Sequence, residues 1–490
     1  MKREFFKNGL FAKPCMMSRI ETNYMTVAER LLGYLIGPFG TAALIAVMGQ
    51  QSELYYTEIF YVDQLFGVGA YLGMSWTVRV VGILMGLAAA YVVEHTVSTA
   101  GRIRPLVLIG SLITAVSSFF MFFIPEMPQG AQMAWVVVFN ILYNSVGVTL
   151  FNLRSNLLTL CTRDQKERNQ VNLLDKVSSY LLVGTTVTLV VGSILYYTML
   201  HGYPASNWYF LVGAVALVSI PLAFVEYFYT KERITLEDSQ VEGYVDVSSR
   251  TSLKKQISAL FHSHYWVLAM VIGMVTTICS NISGYNLSTN FCTVILGAAA
   301  ENNYSLIYTI VSGVPLGIGV LIIYPLSQKF TIRKTTMAFG VLAILGCVVG
   351  LAGGANFPVA VAANFLFNMG ALPVVYILTA LTNAANDEVE YKFGFRPEGT
   401  VAAALVGCVT GIICGAFSGC YETGLSMNGY LPEKGVNQVP GVVNWIYFVR
   451  YVVPIIEYVA LIILLKFMDL EKKLPKMQAE IQERHRRGQV

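Results

Sequence analysis

Charged side chains are few. Lysine and arginine number 33 and aspartate and glutamate 29 in 490 residues, so charge occupies 13% of the chain; ordinary soluble domains carry about 25%. Hydrophobic residues make up 55%. The five histidines are scattered, and so are the eight cysteines, Cys15, Cys161, Cys279, Cys292, Cys347, Cys408, Cys414 and Cys420. They show neither metal-ligand spacing nor a disulfide framework and read as reduced packing residues, so no metal site is expected. There is no nucleophile–base motif, no phosphate-cradling glycine loop and no ATP-binding domain. An enzyme, a bound cofactor and direct ATP-driven transport are therefore not expected. The first thirty residues have no short apolar core ahead of a cleavage site, so no signal peptide is expected to be removed.

What is present is a recurring apolar segment of about 20 residues, long enough to cross a bilayer as a helix. Twelve are expected: 31–58, 64–93, 103–125, 133–160, 170–199, 207–230, 264–293, 303–327, 333–353, 357–383, 399–422 and 443–467. Segment ends 1–30, 94–104, 161–168, 231–262, 328–334, 387–398 and 466–490 hold nearly all the lysine and arginine. The intervening loops carry Glu53, Glu58, Asp63, Glu126, Glu301, Glu422 and Glu433, with Lys434 the one clear cation. An even number of spans with both termini on the basic side satisfies the positive-inside rule. The expected protein is all-α and integral to the plasma (cytoplasmic) membrane, with both termini cytoplasmic. The net charge of +4 then belongs to the cytoplasmic leaflet rather than to nucleic acid.

The longest break between spans, around 231–263, divides the chain into six spans and six spans. The expected organisation is an N-terminal segment 1–30, bundles 31–230 and 264–467, the linker 231–263 and a basic, roughly amphipathic tail 468–490. The halves echo each other: Gly101-Arg-Ile-Arg-Pro opens the third span and Thr331-Ile-Arg-Lys-Thr opens the ninth. That is the layout of carriers that rock around a central site. Arg102, Arg104, Asp164, Arg168, Asp387, Arg396 and Glu398 are candidates for a cytoplasmic gate of weak, breakable ion pairs. The plainer alternative is a solvated loop.

Within the spans, polar side chains stand out. Arg79 sits near the middle of 64–93, where a charge costs at least about 2.5–3.5 kcal/mol on insertion scales. Asn140, Asn144, Gly147 and Phe151 fall at helical spacing and should share one face, as should Asn364 and Asn368, followed by Tyr376. Such amides line a cavity or bridge helices. Arg450 and Glu457, seven apart, read as a structural pair more readily than as a proton relay. Tyr34 and Trp76 read as packing aromatics, with stacking on a sugar ring as the alternative.

The order Gly101-Arg-x-Arg-Pro105, Asp164-x-x-x-Glu-Arg168 and Asp387-x-x-Glu-Tyr-Lys-x-x-x-Arg-x-Glu398, with Gly33-Tyr-Leu-Ile-Gly-Pro-Phe-Gly40 in the first span, resembles the glycoside–pentoside–hexuronide:cation symporters. This is the melibiose permease-like branch of the major facilitator superfamily. The resemblance covers nearly the whole chain and implies twelve transmembrane helices in two six-helix bundles. It also places departures. The two aspartates that bind the coupling cation on the family's second helix fall on Gly82 and Gly86, while the arginine just before them is kept as Arg79. The family's sugar-contacting acids fall on Ala42 and Phe151, with Ser155 replacing a tryptophan. Its fifth-helix arginine falls on Lys176 and its eleventh-helix lysine on Thr410.

Sodium needs several hard oxygen ligands, which glycines do not supply. The expected function is therefore a secondary transporter of a sugar- or glycoside-like solute working by alternating access, proton-coupled rather than sodium-coupled, or uncoupled. Asp175, Glu457 and Glu390 are the coupling candidates. Arg79 and Lys176, with fewer acids to balance them, would favour an acidic, hexuronide-type solute, since a planar guanidinium suits a carboxylate. The alternatives are a carrier of a lipid-like anion and a non-transporting sensor or scaffold. The expected partners are the solute and the bilayer, in a monomer.

Overall fold

The computed structural model describes residues 11, 13–22, 24–96, 100–162, 167, 170–171, 174–175, 178, 182–183, 187, 190–200, 203–233, 253–283, 286–298, 303–311, 314–315, 326, 329–395, 409–411, 413, 415–417 and 419–486. Among these residues the chain is helical, with no β-strand. Nine described helices are long and apolar enough to cross a membrane. The other three expected spans, 170–199, 303–327 and 399–422, each lie partly outside the described residues. The chain separates into two compact units, 1–244 and 245–490.

In the first unit, α1 (Glu29–Glu58), α2 (Ala70–His95), α3 (Arg104–Phe122), α4 (Gln129–Asn152), the short α5 (Arg154–Leu160), α6 (Val190–Leu200) and α7 (Ala205–Phe228) follow in order. The most covered of the spans is α3, and α2 is the least. Contact between α1 and α7 runs along a stripe of small residues. A Cβ on Gly33 would meet the Tyr229 carbonyl oxygen at 2.4 Å, one on Gly37 the Glu226 backbone at 2.7 Å, and one on Gly40 Ser219 Cα at 2.9 Å. Small residues let membrane helices approach at backbone distance, where packing must supply the attraction that water cannot. The glycine pattern of the first span is thus a helix-packing stripe.

The turn before α3 is held by a residue from beyond α7. Glu232 accepts hydrogen bonds from the backbone N–H of Arg102 (2.8 Å), Ile103 (2.9 Å) and Arg104 (2.9 Å), so its carboxylate caps the positive end of α3. Gly101 has φ +108, and a Cβ there would lie 2.5 Å from Glu232 Oε1. Conformation and space both demand glycine.

In the second unit, α8 (Leu253–His262), α9 (His264–Ser283), α10 (Ile332–Gly353), α11 (Phe357–Phe393), α12 (Cys420–Met427), α13 (Pro440–Phe467) and the tail helix α14 (Leu470–Arg486) follow in order, and all but α12 contribute to a core that includes Trp266, Ala343, Ala385, Leu461 and Leu465. The 37-residue α11 measures about 55 Å at 1.5 Å per residue, well beyond a hydrocarbon core of about 30 Å. Residues 387–393 therefore continue the helix where a loop was expected. Lys392 pairs with Glu388 one turn back, an orientation that supports helix. Gly394, at φ 72, closes it.

Candidate functional site

Buried charge in the first unit collects around Arg154, at the start of α5. Arg154, the first residue of α5, reaches two acids: Asp175 through Nη1 and Glu226 through Nε, the latter at 2.6 Å. All three are nearly inaccessible, at 6%, 7% and 2% exposure. The remaining arm, Nη2, donates to the Tyr34 carbonyl oxygen at 3.4 Å. Glu226 Oε2 has no hydrogen-bond partner. One cation thus faces two carboxylates in a setting where each bare charge costs several kcal/mol.

Neighbouring charges are committed elsewhere. Arg233 binds Glu29 at 2.6 Å and the Cys161 carbonyl oxygen at 2.9 Å. Arg104, expected as a gate charge, is buried and turned into its own unit, donating to Thr230 Oγ1 and to the carbonyl oxygens of Ala100 and Tyr227. Arg102 is half-buried in the capped turn. Asp175, expected as a coupling candidate, is ion-paired with Arg154.

Toward the other end of the unit, Asn140 donates to Tyr56 Oη (2.8 Å), and Tyr196 Oη donates to the Glu58 carboxylate (2.9 Å). Asn144 differs from Asn140 in burial. It is exposed, and Ser145 is buried instead, donating to the Val78 carbonyl oxygen at 2.8 Å. Residues Ile141–Val148 form π-helical turns, in which the side-chain spacing departs from that of an α-helix. Arg79 lies on the exposed side of α2, as does Trp76. Tyr34 is fully buried. A Cβ on Gly82 would come no nearer than 3.6 Å to Ser145 Oγ, and one on Gly86 would meet nothing within 4 Å. Packing does not require glycine at either position.

The second unit holds a separate cluster around Arg450 on α13. Its Nη2 donates to Tyr308 Oη (2.8 Å) and Asn364 Oδ1 (2.5 Å), and its Nε to Tyr308 Oη (3.2 Å). Asn368 donates to Asn364 Oδ1 at 2.9 Å. Its guanidinium lies over the rings of Phe291, Phe367 and Tyr451. The expected pairing of Arg450 with Glu457 is not made: neutral amide, phenol and ring partners hold the cation, and Glu457 is half-buried further along α13. Glu390 is buried and Asp387 half-buried on α11. Glu388, beside them, accepts from Ser263 and pairs with Lys392. Tyr376 falls within α11. Lys176, Asp164, Arg168, Arg396 and Glu398 lie outside the described residues. Among the described residues no group of acids, histidines and cysteines has the geometry of a metal site.

Residues 33–472 match the family described as MFS/sugar transport protein. The chain belongs to that family. The resemblance to the melibiose permease-like branch of the major facilitator superfamily is borne out with it. The chain is 24% identical over 494 aligned positions to the isoprimeverose transporter of Lactiplantibacillus pentosus, covering 96% of this chain and 94% of that one. It is 21% identical to the lactose permease of Lactobacillus helveticus, over 96% of this chain and 74% of that one. Among solved structures, a D-xylose–proton symporter superposes with a TM-score of 0.58 at 16% identity, covering 89% of this chain and 96% of that one. A peptide transporter superposes at 0.55 and 11% identity, covering 94% and 97%. These likenesses establish the major facilitator fold, and the family is one of transporters rather than enzymes.

Of the buried Arg154 cluster, only Asp175 was among the expected site residues. Arg154 and Glu226 are lone charges inside the apolar runs 133–160 and 207–230. Their standing as the single charges of those runs is the signal that could have found them.

Proposed function

We propose that this chain is a secondary carrier that moves a sugar- or glycoside-like solute across the plasma membrane by alternating access, as a monomer with both termini cytoplasmic. The observation that carries this reading is the full-length match to relatives named as isoprimeverose transporter and lactose permease, over 96% of this chain in each case. Coupling is to protons, or absent, rather than to sodium. Supporting this, Gly82 and Gly86 stand where the family carries cation-binding aspartates, and glycines offer no hard oxygen ligands. An acidic glycoside is the favoured solute class. Supporting this, the Arg450 guanidinium is held by the neutral Tyr308 and Asn364 side chains, and a planar guanidinium suits a carboxylate.

The test is uptake by proteoliposomes of isoprimeverose, lactose, raffinose and a glucuronide, with imposed proton or sodium gradients. Accumulation driven by protons and indifferent to sodium supports the reading. Sodium-driven accumulation overturns the coupling assignment. No uptake of any sugar overturns the solute class and leaves a lipid-like anion or a sensing role.

A further inference from the structure

The charge count around Arg154 has a chemical consequence. Glu226 is covered on every side by its own unit. Arg154 stands against one carboxylate oxygen, with Asp175 on the far side of the guanidinium. From α1, the surface facing Glu226 is the bare backbone of Gly37, which leaves no room for water between the helices. From α3, the nearest cation is Arg104, held by Tyr227, Thr230 and Ala100. At the start of α1, Glu29 is paired with Arg233. No second cation among the described residues reaches Glu226 or Asp175. With both acids ionised the cluster carries a net negative charge in a low-dielectric interior, where an unbalanced carboxylate is strongly disfavoured. One added proton restores neutrality. Glu226 Oε2, buried and without a hydrogen-bond partner, is the open position for it.

We infer that Glu226, with Arg154 and Asp175, is the proton-binding site through which this carrier couples solute movement to a proton gradient. The inference rests on the carrier reading above. The step is a simple protonation: a proton from the aqueous phase forms an O–H bond at Glu226 Oε2, and Arg154 is left balancing Asp175 alone. Loss of that proton returns the cluster to its net negative state. A loaded, protonated carrier can reorient in either direction, so exchange of solute for solute needs no net proton movement. Accumulation does.

Two measurements on the full-length protein test this. The first needs no solute: infrared difference spectra of the purified chain between acid and alkaline pH. A protonated-carboxyl stretch that vanishes at alkaline pH is expected in the parent. It should be missing in Glu226→Gln, and missing also in Asp175→Asn, because either change leaves one acid to one arginine. The same titrating band in both variants overturns the inference, whatever the solute proves to be. The second uses isoprimeverose in proteoliposomes. Each pH unit of gradient supports about tenfold accumulation in a one-proton symporter. Glu226→Gln should lose that accumulation while isoprimeverose counterflow stays within about twofold of the parent, the split expected when only the driven step is removed. Parallel loss of counterflow and accumulation in a folded Glu226→Gln, with the parental band retained, points to a purely structural triad and overturns the inference. A parent that moves no isoprimeverose but shows the titrating band fails the sugar reading and leaves the proton site standing.

Discussion

Gly37 of α1 lies so close to Glu226 of α7 that a Cβ on the glycine would stand 2.7 Å from the Glu226 Cα, Cβ and backbone nitrogen. No side-chain rotation relieves such a contact, because the obstructing atoms include backbone. Gly37→Ala should therefore push α1 off α7 and destabilise the fold by about 1–3 kcal/mol, the usual cost of overpacking. Gly86→Ala, which meets nothing within 4 Å, should be close to neutral. Thermal unfolding of the two variants in detergent checks the contrast. Equal midpoints would mean that the helices do not meet at backbone distance.

The two buried arginines should respond differently to neutralisation. Arg154→Gln strands two buried carboxylates, and breaking a buried pair by removing one partner costs about 3–5 kcal/mol. Arg450→Gln strands only a phenol and an amide, groups whose lost hydrogen bonds cost about 1–3 kcal/mol. Expression and unfolding temperature should fall further for Arg154→Gln. The triple change Arg154→Met, Asp175→Asn, Glu226→Gln should recover part of the loss, because these side chains touch and their effects cannot be additive. A triple variant as unstable as the sum of its parts would refute the ion-pair account.

These contrasts show what could be read from the sequence and what could not. Apolar run lengths and the placement of lysine and arginine carried the membrane class, and ordered motifs such as Gly101–Pro105 carried the family. The local faces were less legible. Asn140 and Asn144 were placed together by α-helical spacing, yet in a stretch with π-helical turns Asn144 is exposed while Asn140 and Ser145 are buried. Arg450 and Glu457 also fit a helical spacing, yet the arginine found Tyr308 and Asn364, whose proximity only the tertiary fold creates. Asp175 was singled out while its partners were overlooked, because Arg154 and Glu226 come from segments far apart in sequence.

Beyond the last span, Asp469 accepts from Tyr265 and pairs with Lys473 at 3.0 Å, pinning the start of α14. The bond from Tyr265, then that from Lys473, holds the Asp469 carboxyl below its ordinary range. The bonds to Tyr265 and Asp469 hold the Lys473 ammonium above its ordinary range. A depressed acid contributes stability above its unfolded pKa and loses it as pH falls through the folded value. A raised amine contributes below its unfolded pKa and loses it as pH rises through the folded value. With ordinary values near about 4 and about 10.4, docking of α14 should not vary between about pH 5 and 9. Asp469→Asn should increase tail cleavage by protease throughout that window. A cleavage rate in the parent that changes near neutral pH would show that another group controls the tail.

Gly82 and Gly86 offer the sharpest test of the coupling assignment, because the fold has room for the side chains they lack. A Cβ on Gly82 keeps 3.6 Å from Ser145 Oγ, and Gly86 is open. Gly82→Asp with Gly86→Asp should fold, because neither carboxylate is forced into a packed neighbour. The aspartates would stand one helical turn apart, with Arg79 a turn before the first, so both can turn to one side of α2. Two carboxylates supply the hard oxygens that sodium takes and glycine withholds. The double variant should therefore gain sodium-stimulated uptake of isoprimeverose, where the parent has none. Sodium-indifferent uptake in a well-folded double variant would mean that loss of these two acids is not what separates this carrier from sodium. Sodium dependence already present in the parent would place the cation on other ligands.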